Sequence, residues 1–119
     1  MGAVMHRGNL SGSQLAKAID ERRLTQDLFG EMSGRGKKSI QAWVRRHREK
    51  VPIWFDKWFH LYDLMVEFRG VLPDDDEKIF EYLVSDGDAS VAKIARSLEI
   101  PAQIVYDRLM VMTDAGKIE

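Results

Sequence analysis

The side chains of this sequence best suited to chemistry are cations, and they are concentrated in one stretch. Between Arg35 and Lys50 there are seven Lys or Arg and a single acid, Glu49, which gives a local charge of +6 in a chain of net charge −1. The cations are Arg35, Lys37, Lys38, Arg45, Arg46, Arg48 and Lys50. Such a local basic patch is typical of a site that binds a polyanion. The alternative is an ordinary solvated helix surface.

Other kinds of reactive site have little support in the sequence. It contains no cysteine, which excludes disulfides, thiolate metal sites and a cysteine nucleophile. The histidines, His6, His47 and His60, lack metal-ligand spacing. There is no glycine-rich phosphate loop of the right form and no catalytic carboxylate–histidine set. We therefore expect no enzyme activity, no cofactor and no metal site.

Two further groups have competing interpretations. The acids Asp74 to Glu77 are compatible with a metal-binding cluster or with the first turn of a helix, where the helix dipole favours negative charge. The helix interpretation needs no ligand, so we favour it. Trp43 and the aromatics of segment 53–69 could stack on single-stranded bases. Ile40 beside Trp43 favours packing in a core instead.

The charge is divided unequally along the chain. Residues 1–70 carry a net +5 and residues 71–119 a net −6, which indicates two modules with different partners, or with each other as partners. The hydrophobic content of 45% is sufficient for a core. No apolar run reaches the ~18 residues of a membrane span, and no signal-peptide pattern is present. We therefore expect a cytoplasmic protein without membrane contact.

Helix-period patterns and few prolines predict an all-α chain that follows a flexible arm at residues 1–10. Ser11 or Ser13 would cap the first helix, Thr25 the second and Ser90 the sixth. Lys117 to Glu119 could begin a strand. The predicted helices span residues 14–23, 26–32, 37–49, 53–69, a fifth that opens at 72–77 and ends at Gly87, then 91–98 and 102–115.

The glycines around the predicted second helix have specific uses. Gly30 lies in its interior, where glycine costs about 1 kcal/mol relative to alanine, so we expect the backbone of another helix to approach closely there. Gly34 and Gly36 can adopt positive φ in the turn that follows. Ile40 and Trp43 would anchor the third helix in the core.

The segment 53–69 is apolar over most of its circumference, which indicates contact on two sides. One side should pack on the N-terminal helices. The other should meet the C-terminal module or a second subunit.

Several of these residues occur together in a familiar pattern. Leu24-Thr25-Gln26, Gly30 and Ile40-x-x-Trp43, followed by basic residues and Pro52, resemble the phage Cro/repressor-type helix-turn-helix over about residues 13–69. In that family Leu-Thr-Gln opens the second helix and a small residue occupies the position of Gly30. The sequence departs from the family at Gly34-Arg35-Gly36, where the family has a glycine, an apolar residue and a Ser/Thr cap. The resemblance implies a helix-turn-helix domain at 11–70.

The resemblance also implies a binding mode, in which the helix at about 37–49 enters the major groove of double-stranded DNA. The start of that helix would meet base edges, with Gln41 suited to adenine and the lysines to guanine or phosphate. Its later arginines would hold phosphates, and Gln26 would position the protein on the DNA backbone. The complete predicted set is Gln26, Arg35, Lys37, Lys38, Ser39, Gln41, Arg45, Arg46 and Arg48.

Residues 74–118 resemble the winged-helix modules of bacterial or archaeal regulators. The residues that carry this likeness are Val91, Ile94, Ala95, Leu98, Ile100, Val105, Leu109, Met112 and the Asp-Ala-Gly-Lys-Ile sequence at 114–118. The likeness implies a trihelical module at 71–119 with little or no wing. Its reading helix contains a single basic residue, Arg108, and the module is acidic. We therefore expect it to contact protein, or to pack, rather than to bind DNA.

These observations favour sequence-specific DNA binding by a transcriptional regulator, such as a repressor, of a prokaryote, phage or mobile element, associated with the nucleoid. A homodimer through segment 53–69 or the acidic module would enlarge a small interface. One alternative is a protein-interaction adaptor whose acidic module binds a basic partner. Another is a DNA-binding fragment of a larger recombination, replication or packaging protein.

Overall fold

The computed structural model describes residues 7–118, which are mostly helical, as predicted, with a small two-stranded sheet. The chain divides into two compact units, Met1–Met65 (unit 1) and Val66–Glu119 (unit 2), and the predicted division lay between residues 70 and 71. The elements are β1 (Arg7–Ser11), α1 (Gly12–Glu21), α2 (Gln26–Ser33), α3 (Lys37–Arg45), β2 (Lys50–Pro52), α4 (Ile53–Arg69), α5 (Asp75–Ser85), α6 (Val91–Leu98) and α7 (Ala102–Asp114).

The sheet is a small addition to the mostly helical fold that was predicted, and it corrects part of the predicted arm. Strands β1 and β2 pair antiparallel, with Arg7 opposite Pro52. The predicted arm covered residues 1–10; residues 7–10 belong to β1, whereas residues 1–6 lie outside the described part of the chain. Asn9 is held at both ends, because its N–H donates to Asp56 Oδ2 (2.8 Å) and its carbonyl accepts from Lys50 Nζ (2.8 Å). These partners are more than 40 residues away, beyond the reach of a local pattern.

The predicted caps of three helices are present. Ser11 caps α1 in a capping box: Ser11 Oγ accepts from the Gln14 N–H, and Gln14 Oε1 accepts from the Ser11 N–H. This starts α1 at residue 12, two residues before its predicted start. Thr25 accepts from the Leu28 N–H at 3.0 Å, and Ser90 accepts from the Lys93 N–H at 3.1 Å. A side-chain acceptor satisfies an orphan amide at each start.

The core of unit 1 is centred on Phe29 of α2, whose ring stacks on Phe59 at 5.2 Å and meets the edge of Trp58 at 4.6 Å. The inner face of α4 is therefore packed on the N-terminal helices, as predicted. Its apolar outer face is exposed. The other buried side chains of unit 1 include Leu15, Ile19, Leu24, Leu28, Ile40, Val51, Phe55 and Tyr62.

Unit 2 contains α5, α6 and α7, which pack around Ile79, Ile94 and Val105, all 0% exposed. The strand predicted to begin at Lys117 is not formed at residues 117 and 118, and Glu119 lies outside the described residues. Instead, Gly116 has φ +75° and the Lys117 N–H donates to the Met112 carbonyl at 2.9 Å, which ends α7 in a tight turn.

The acids at the start of α5 are paired with cations rather than grouped around a shared centre. Asp75, 0% exposed, accepts two hydrogen bonds from the Arg69 guanidinium, at 2.9 and 3.0 Å, and one from the Leu72 N–H at 2.8 Å. Asp76 accepts two from Arg108, at 2.7 and 2.8 Å. These hydrogen bonds lower the pKa of both carboxyls. No metal-ligating group of three acids or histidines occurs within residues 7–118.

Candidate nucleic-acid interface

The predicted basic surface is built on the passage from α2 to α3, where the backbone passes close to Gly30. A Cβ on Gly30 would lie 2.7 Å from Gly36 C and from Lys37 N, so the expected backbone approach is confirmed. The Gly36 N–H donates to the Gly30 carbonyl at 3.0 Å. Gly34 and Gly36 adopt φ values of +74° and +81°. Glycine is therefore required at positions 30 and 36, and favoured at position 34, to place the start of α3 against α2.

Helix α3 is anchored by Ile40, which is 0% exposed, while Trp43 and Val44 are half-buried. Lys38, Ala42 and Arg45 follow each other at helical spacing and are all exposed. The predicted DNA-binding residues Lys37, Arg35, Arg46 and Arg48 are also exposed. Three others, Gln26, Ser39 and Gln41, are half-buried.

Helix α3 ends at Arg45, so the prediction that it reaches residue 49 is wrong and Arg46 and Arg48 lie in the following loop. The hydrogen bonding tightens there, because the Arg46 N–H donates to the Trp43 carbonyl at 3.2 Å and the Glu49 N–H to the Arg46 carbonyl at 2.9 Å, each three residues back. The Gly12 N–H donates to the Glu49 carbonyl and the Ser13 N–H to the His47 carbonyl, each at 3.1 Å. The loop that follows α3 thus packs against the start of α1 and satisfies two of its orphan amides.

Two arginines from distant parts of the sequence are held by the same pair of residues. The Arg46 guanidinium lies 4.5 Å from the centre of the Trp43 ring, and its Nε lies 3.7 Å from Glu49 Oε2. Arg7 lies 5.3 Å from the same ring and 3.7 Å from Glu49 Oε1, and it donates to the Lys50 carbonyl at 3.0 Å. Both guanidinium groups are therefore oriented by an aromatic face and partly neutralised.

Arg35 is oriented by a different aromatic ring. Its guanidinium lies 4.4 Å from the centre of the Trp54 ring, which in turn meets Phe55 edge-on at 5.0 Å. Trp43 also meets Phe55, at 6.4 Å between ring centres. The half-buried tryptophans thus rest on a buried phenylalanine and support arginines at the surface. The contact with Phe55 fits the core interpretation of Trp43, whereas the contacts with Arg7 and Arg46 place the other face of the ring at the basic surface.

Of the seven cations between Arg35 and Lys50, Arg46 pairs with an acid, Arg35 rests on Trp54 and Lys50 donates to the Asn9 carbonyl. This leaves four that have neither a counter-ion nor a side-chain hydrogen bond among the described residues: Lys37, Lys38, Arg45 and Arg48. The first two occupy the first turn of α3, which contains no acid and whose N-cap, Gly36, supplies no side-chain hydrogen bond. Cations are disfavoured there by the helix dipole. The start of α3 therefore combines free backbone N–H groups with two lysines, an arrangement suited to an anion.

The cations of unit 2 are engaged differently. Arg69 and Arg108 form two-fold hydrogen bonds to aspartates, and Lys93 Nζ lies 2.5 Å from Asp86 Oδ2. The hydrogen bond from Lys93 lowers the pKa of Asp86. Arg108, the basic residue of the predicted reading helix, therefore serves the fold of its own unit.

The sequence allowed the cations to be counted, but it did not reveal that Arg7 and Trp54 belong to this surface or that Glu49 pairs with two arginines. Arg7 is 36 residues before Trp43, and no spacing links them. No helix within residues 7–118 has both the length and the apolar content to cross a membrane. No protein-family model, curated protein or solved structure matches the chain.

Proposed function

We propose that this chain binds double-stranded DNA by a helix-turn-helix in which α3 enters the major groove. It would act as a sequence-specific transcriptional regulator, such as a repressor, of a prokaryote, phage or mobile element. The observation that carries the proposal is the set of four exposed cations on α3 and its following loop that have no counter-ion among the described residues. A folded protein gains little from leaving four cations together, because their mutual repulsion is unfavourable.

The start of α3 is proposed to contact base edges and the nearest phosphates. The positive charges of Lys37 and Lys38 lie beside the positive end of the helix dipole, and each costs α3 roughly a few tenths of a kcal/mol of stability. A bound polyanion would reverse that effect. Lys38, Ala42 and Arg45 form the most exposed row of α3, so guanine acceptors suit the two cations and a thymine methyl group suits Ala42.

The later cations are proposed to hold phosphates. Arg45 and Arg48 are free to do so, whereas Arg35 and Arg46 lie on tryptophan rings that restrict their motion. An arginine held in place loses less conformational freedom when it binds phosphate. Gln26 and Gln41 are half-buried, so we propose that their side chains extend less far toward the DNA than those of the lysines.

The test begins with selection of bound sequences from a random duplex pool, followed by affinity measurements over a range of salt concentrations. The double variant Arg45→Ala/Arg48→Ala should weaken binding and reduce the slope of log K against log salt by about 2, since each phosphate contact contributes about 0.9. The matched control is Lys17→Ala/Lys93→Ala, which removes two cations that pair with acids. If the two double variants bind the selected DNA with equal affinity and equal salt dependence, the DNA-binding proposal is contradicted.

A second candidate, protein contact through unit 2, is favoured by the outer face of α5. Phe80 and Val84 are 43% and 73% exposed, and Glu77 and Glu81 flank them at helical spacing. Beside Phe80 is a groove of about 500 Å³. A synthetic Leu/Lys amphipathic peptide titrated into isotope-labelled chain should shift the amide resonances of α5 first. Shifts confined to other elements would contradict this candidate.

A further inference from the structure

We infer that Arg7 and Arg46 form a binding site for a phosphate of the DNA backbone, and that Glu49 occupies this site until DNA displaces it. The inference rests on the proposed function and deepens it, because it adds Arg7 to the DNA-binding residues and gives Glu49 a role that limits affinity. Both guanidinium groups lie against Trp43, and each is 3.7 Å from one oxygen of the same carboxylate. Two guanidinium groups that converge on one carboxylate are arranged as they would be around a phosphate.

The contacts of Glu49 are ion pairs without hydrogen bonds. A distance of 3.7 Å exceeds the ~2.7–3.2 Å of an N–H···O hydrogen bond, so neither arginine donates to the carboxylate. Arg22 shows the alternative in the same unit, because its Nε and Nη2 donate to the two oxygens of Asp63 at 2.8 and 2.7 Å. Arg46 makes no side-chain hydrogen bond within the described part of the chain, and Arg7 makes one, to a backbone carbonyl. Donors of both groups are therefore available to phosphate oxygens.

The position of Arg7 is fixed by the fold of unit 1. It lies opposite Pro52 in the sheet, and its Nη1 donates to the Lys50 carbonyl at 3.0 Å. Two residues further on, the backbone of Asn9 is held by hydrogen bonds with Asp56 and Lys50. A guanidinium held in this way loses little conformational freedom when it binds a ligand. Arg7 is therefore preorganised for an anion.

The site formed by Arg7 and Arg46 lies at the opposite end of α3 from Lys37 and Lys38. The nine residues of α3, at about 1.5 Å each, make the helix roughly 13 Å long. The major groove is about 12 Å wide, so the two ends of a helix that enters it can approach phosphates of both strands. Phosphate contacts at both ends would fix the orientation of α3 on the duplex.

The ion pairs of Glu49 are too exposed to be important for folding. The side chains of Arg7, Arg46 and Glu49 are 45%, 50% and 49% exposed, and solvent weakens ion pairs at such exposure. The carboxylate does reduce the positive charge that this surface presents to a polyanion. Glu49 therefore stabilises the fold little and lowers the affinity for DNA of any sequence.

The test compares four chains: wild type, Glu49→Gln, Arg7→Gln and the double variant. Affinity is measured over a range of salt concentrations, for the duplex recovered by selection and for a random duplex. Glu49→Gln should bind both duplexes more tightly by a similar factor, about three- to tenfold, because phosphate contacts carry no sequence information. Adding Arg7→Gln should remove most of this gain and reduce the slope of log K against log salt by about 1, the contribution of one phosphate contact.

The matched control is the exposed pair of Lys17 with Glu21 in α1, 3.9 Å apart and outside the basic stretch. Glu21→Gln removes the same charge from unit 1 and should change affinity by less than about twofold, because salt screens distant exposed charges. An equal gain from Glu21→Gln would overturn the inference, as would no gain from Glu49→Gln or a gain that survives Arg7→Gln. Unfolding cannot produce a gain in affinity, so Glu49→Gln is decisive even if Arg7→Gln disturbs β1.

Failure of this inference can be distinguished from failure of the proposed function. A wild-type chain that binds no duplex would remove the proposed function and the phosphate site with it. A wild-type chain that binds the selected duplex, but whose affinity does not rise with Glu49→Gln, would remove the phosphate site alone.

Discussion

Gly12, at the first position of α1, leaves no space for a side chain. A Cβ there would lie 2.6 Å from both the Trp43 and the Arg46 carbonyl oxygens. Gly12→Ala should therefore destabilise unit 1 by about 1–3 kcal/mol, because backbone must move to relieve the overlap. Amide hydrogen exchange in α1 and α3 measures this locally.

Gly87→Ala is the matched control for that substitution. The nearest atom to its added Cβ is 3.9 Å away, and its φ is not positive. It should change stability by less than about 0.5 kcal/mol. Equal effects of the two substitutions would show that the contact between α1 and the loop after α3 is not tight.

Asp75 is the buried charge on which the start of unit 2 depends. Asp75→Asn keeps the shape of the side chain but removes the charge that Arg69 and the Leu72 N–H bind. We expect a loss of ~2–4 kcal/mol at neutral pH, since a buried pair is costly to break. The exposed pair of Asp74 with Lys78, 3.1 Å apart, provides the control, because Asp74→Asn should cost less than about 1 kcal/mol. Denaturant unfolding of Asp75→Asn and Asp74→Asn, monitored by hydrogen exchange of the α5 amides, measures the two losses of stability.

For single residues, the sequence showed which side chains carry charge but not which of them have a counter-ion in the folded chain. The basic stretch is evident from composition alone, whereas the pairing of Glu49 with both Arg7 and Arg46 requires the folded chain. The same holds for Asp75, which helix-start capping explained only by position. Local signals cannot identify a counter-ion from another element.

The turn between α2 and α3 is an element whose conformation depends on glycine. Gly36 has φ +81° and ψ 151°, a region almost restricted to glycine, and a Cβ added to it would have no described atom within 4 Å. Gly36→Ala should therefore cost about 1–3 kcal/mol from backbone strain alone. Gly34, in the left-handed helical region, should tolerate Asn much better than Gly36 tolerates Ala.

Thermal unfolding of Gly36→Ala and Gly34→Asn, with DNA affinity measured well below the transition, tests this turn. Gly36→Ala should lower both stability and affinity, because the residue sets where α3 begins. Unchanged stability in Gly36→Ala would mean that the turn readily adopts another conformation.

Among the elements, those encoded by local signals were predicted well. The helix 53–69 was predicted with its observed bounds, and the caps Thr25 and Ser90 act as expected. The end of α3 and strand β1 were missed, because both depend on partners far along the chain. The loop after α3 packs on the start of α1, where the Gly12 N–H donates to the Glu49 carbonyl, and Asp56 and Lys50 hold β1.

For the whole molecule, the two Arg–Asp pairs of unit 2 predict an acid transition. The pKa values of Asp75 and Asp76 are lowered by Arg69 and Arg108, so as pH falls the unfolded chain takes up these protons first. Their stabilisation is complete above the unfolded pKa of about 4 and is lost as pH falls through the lowered folded values. Exchange protection of α5 and α7 should therefore decrease below about pH 4.

Asp75→Asn provides the control for this acid dependence. The variant should lose less stability than the wild type between neutral pH and about pH 3, because one of the two linked protons is absent. An identical loss in both chains would show that Asp75 does not contribute to the transition.

The arginines that rest on indole rings give the molecule a built-in optical signal. All three tryptophans lie in unit 1: Trp43 beneath Arg7 and Arg46, Trp54 beneath Arg35, and Trp58 stacked on Tyr62 at 5.3 Å. A phosphate bound by one of these guanidinium groups changes the charge beside Trp43 or Trp54 and should therefore change the emission of that ring, whereas Trp58 packs against Phe59 and Tyr62. Binding of a polyanion should therefore be visible in the unlabelled protein, with Trp58 as an internal reference.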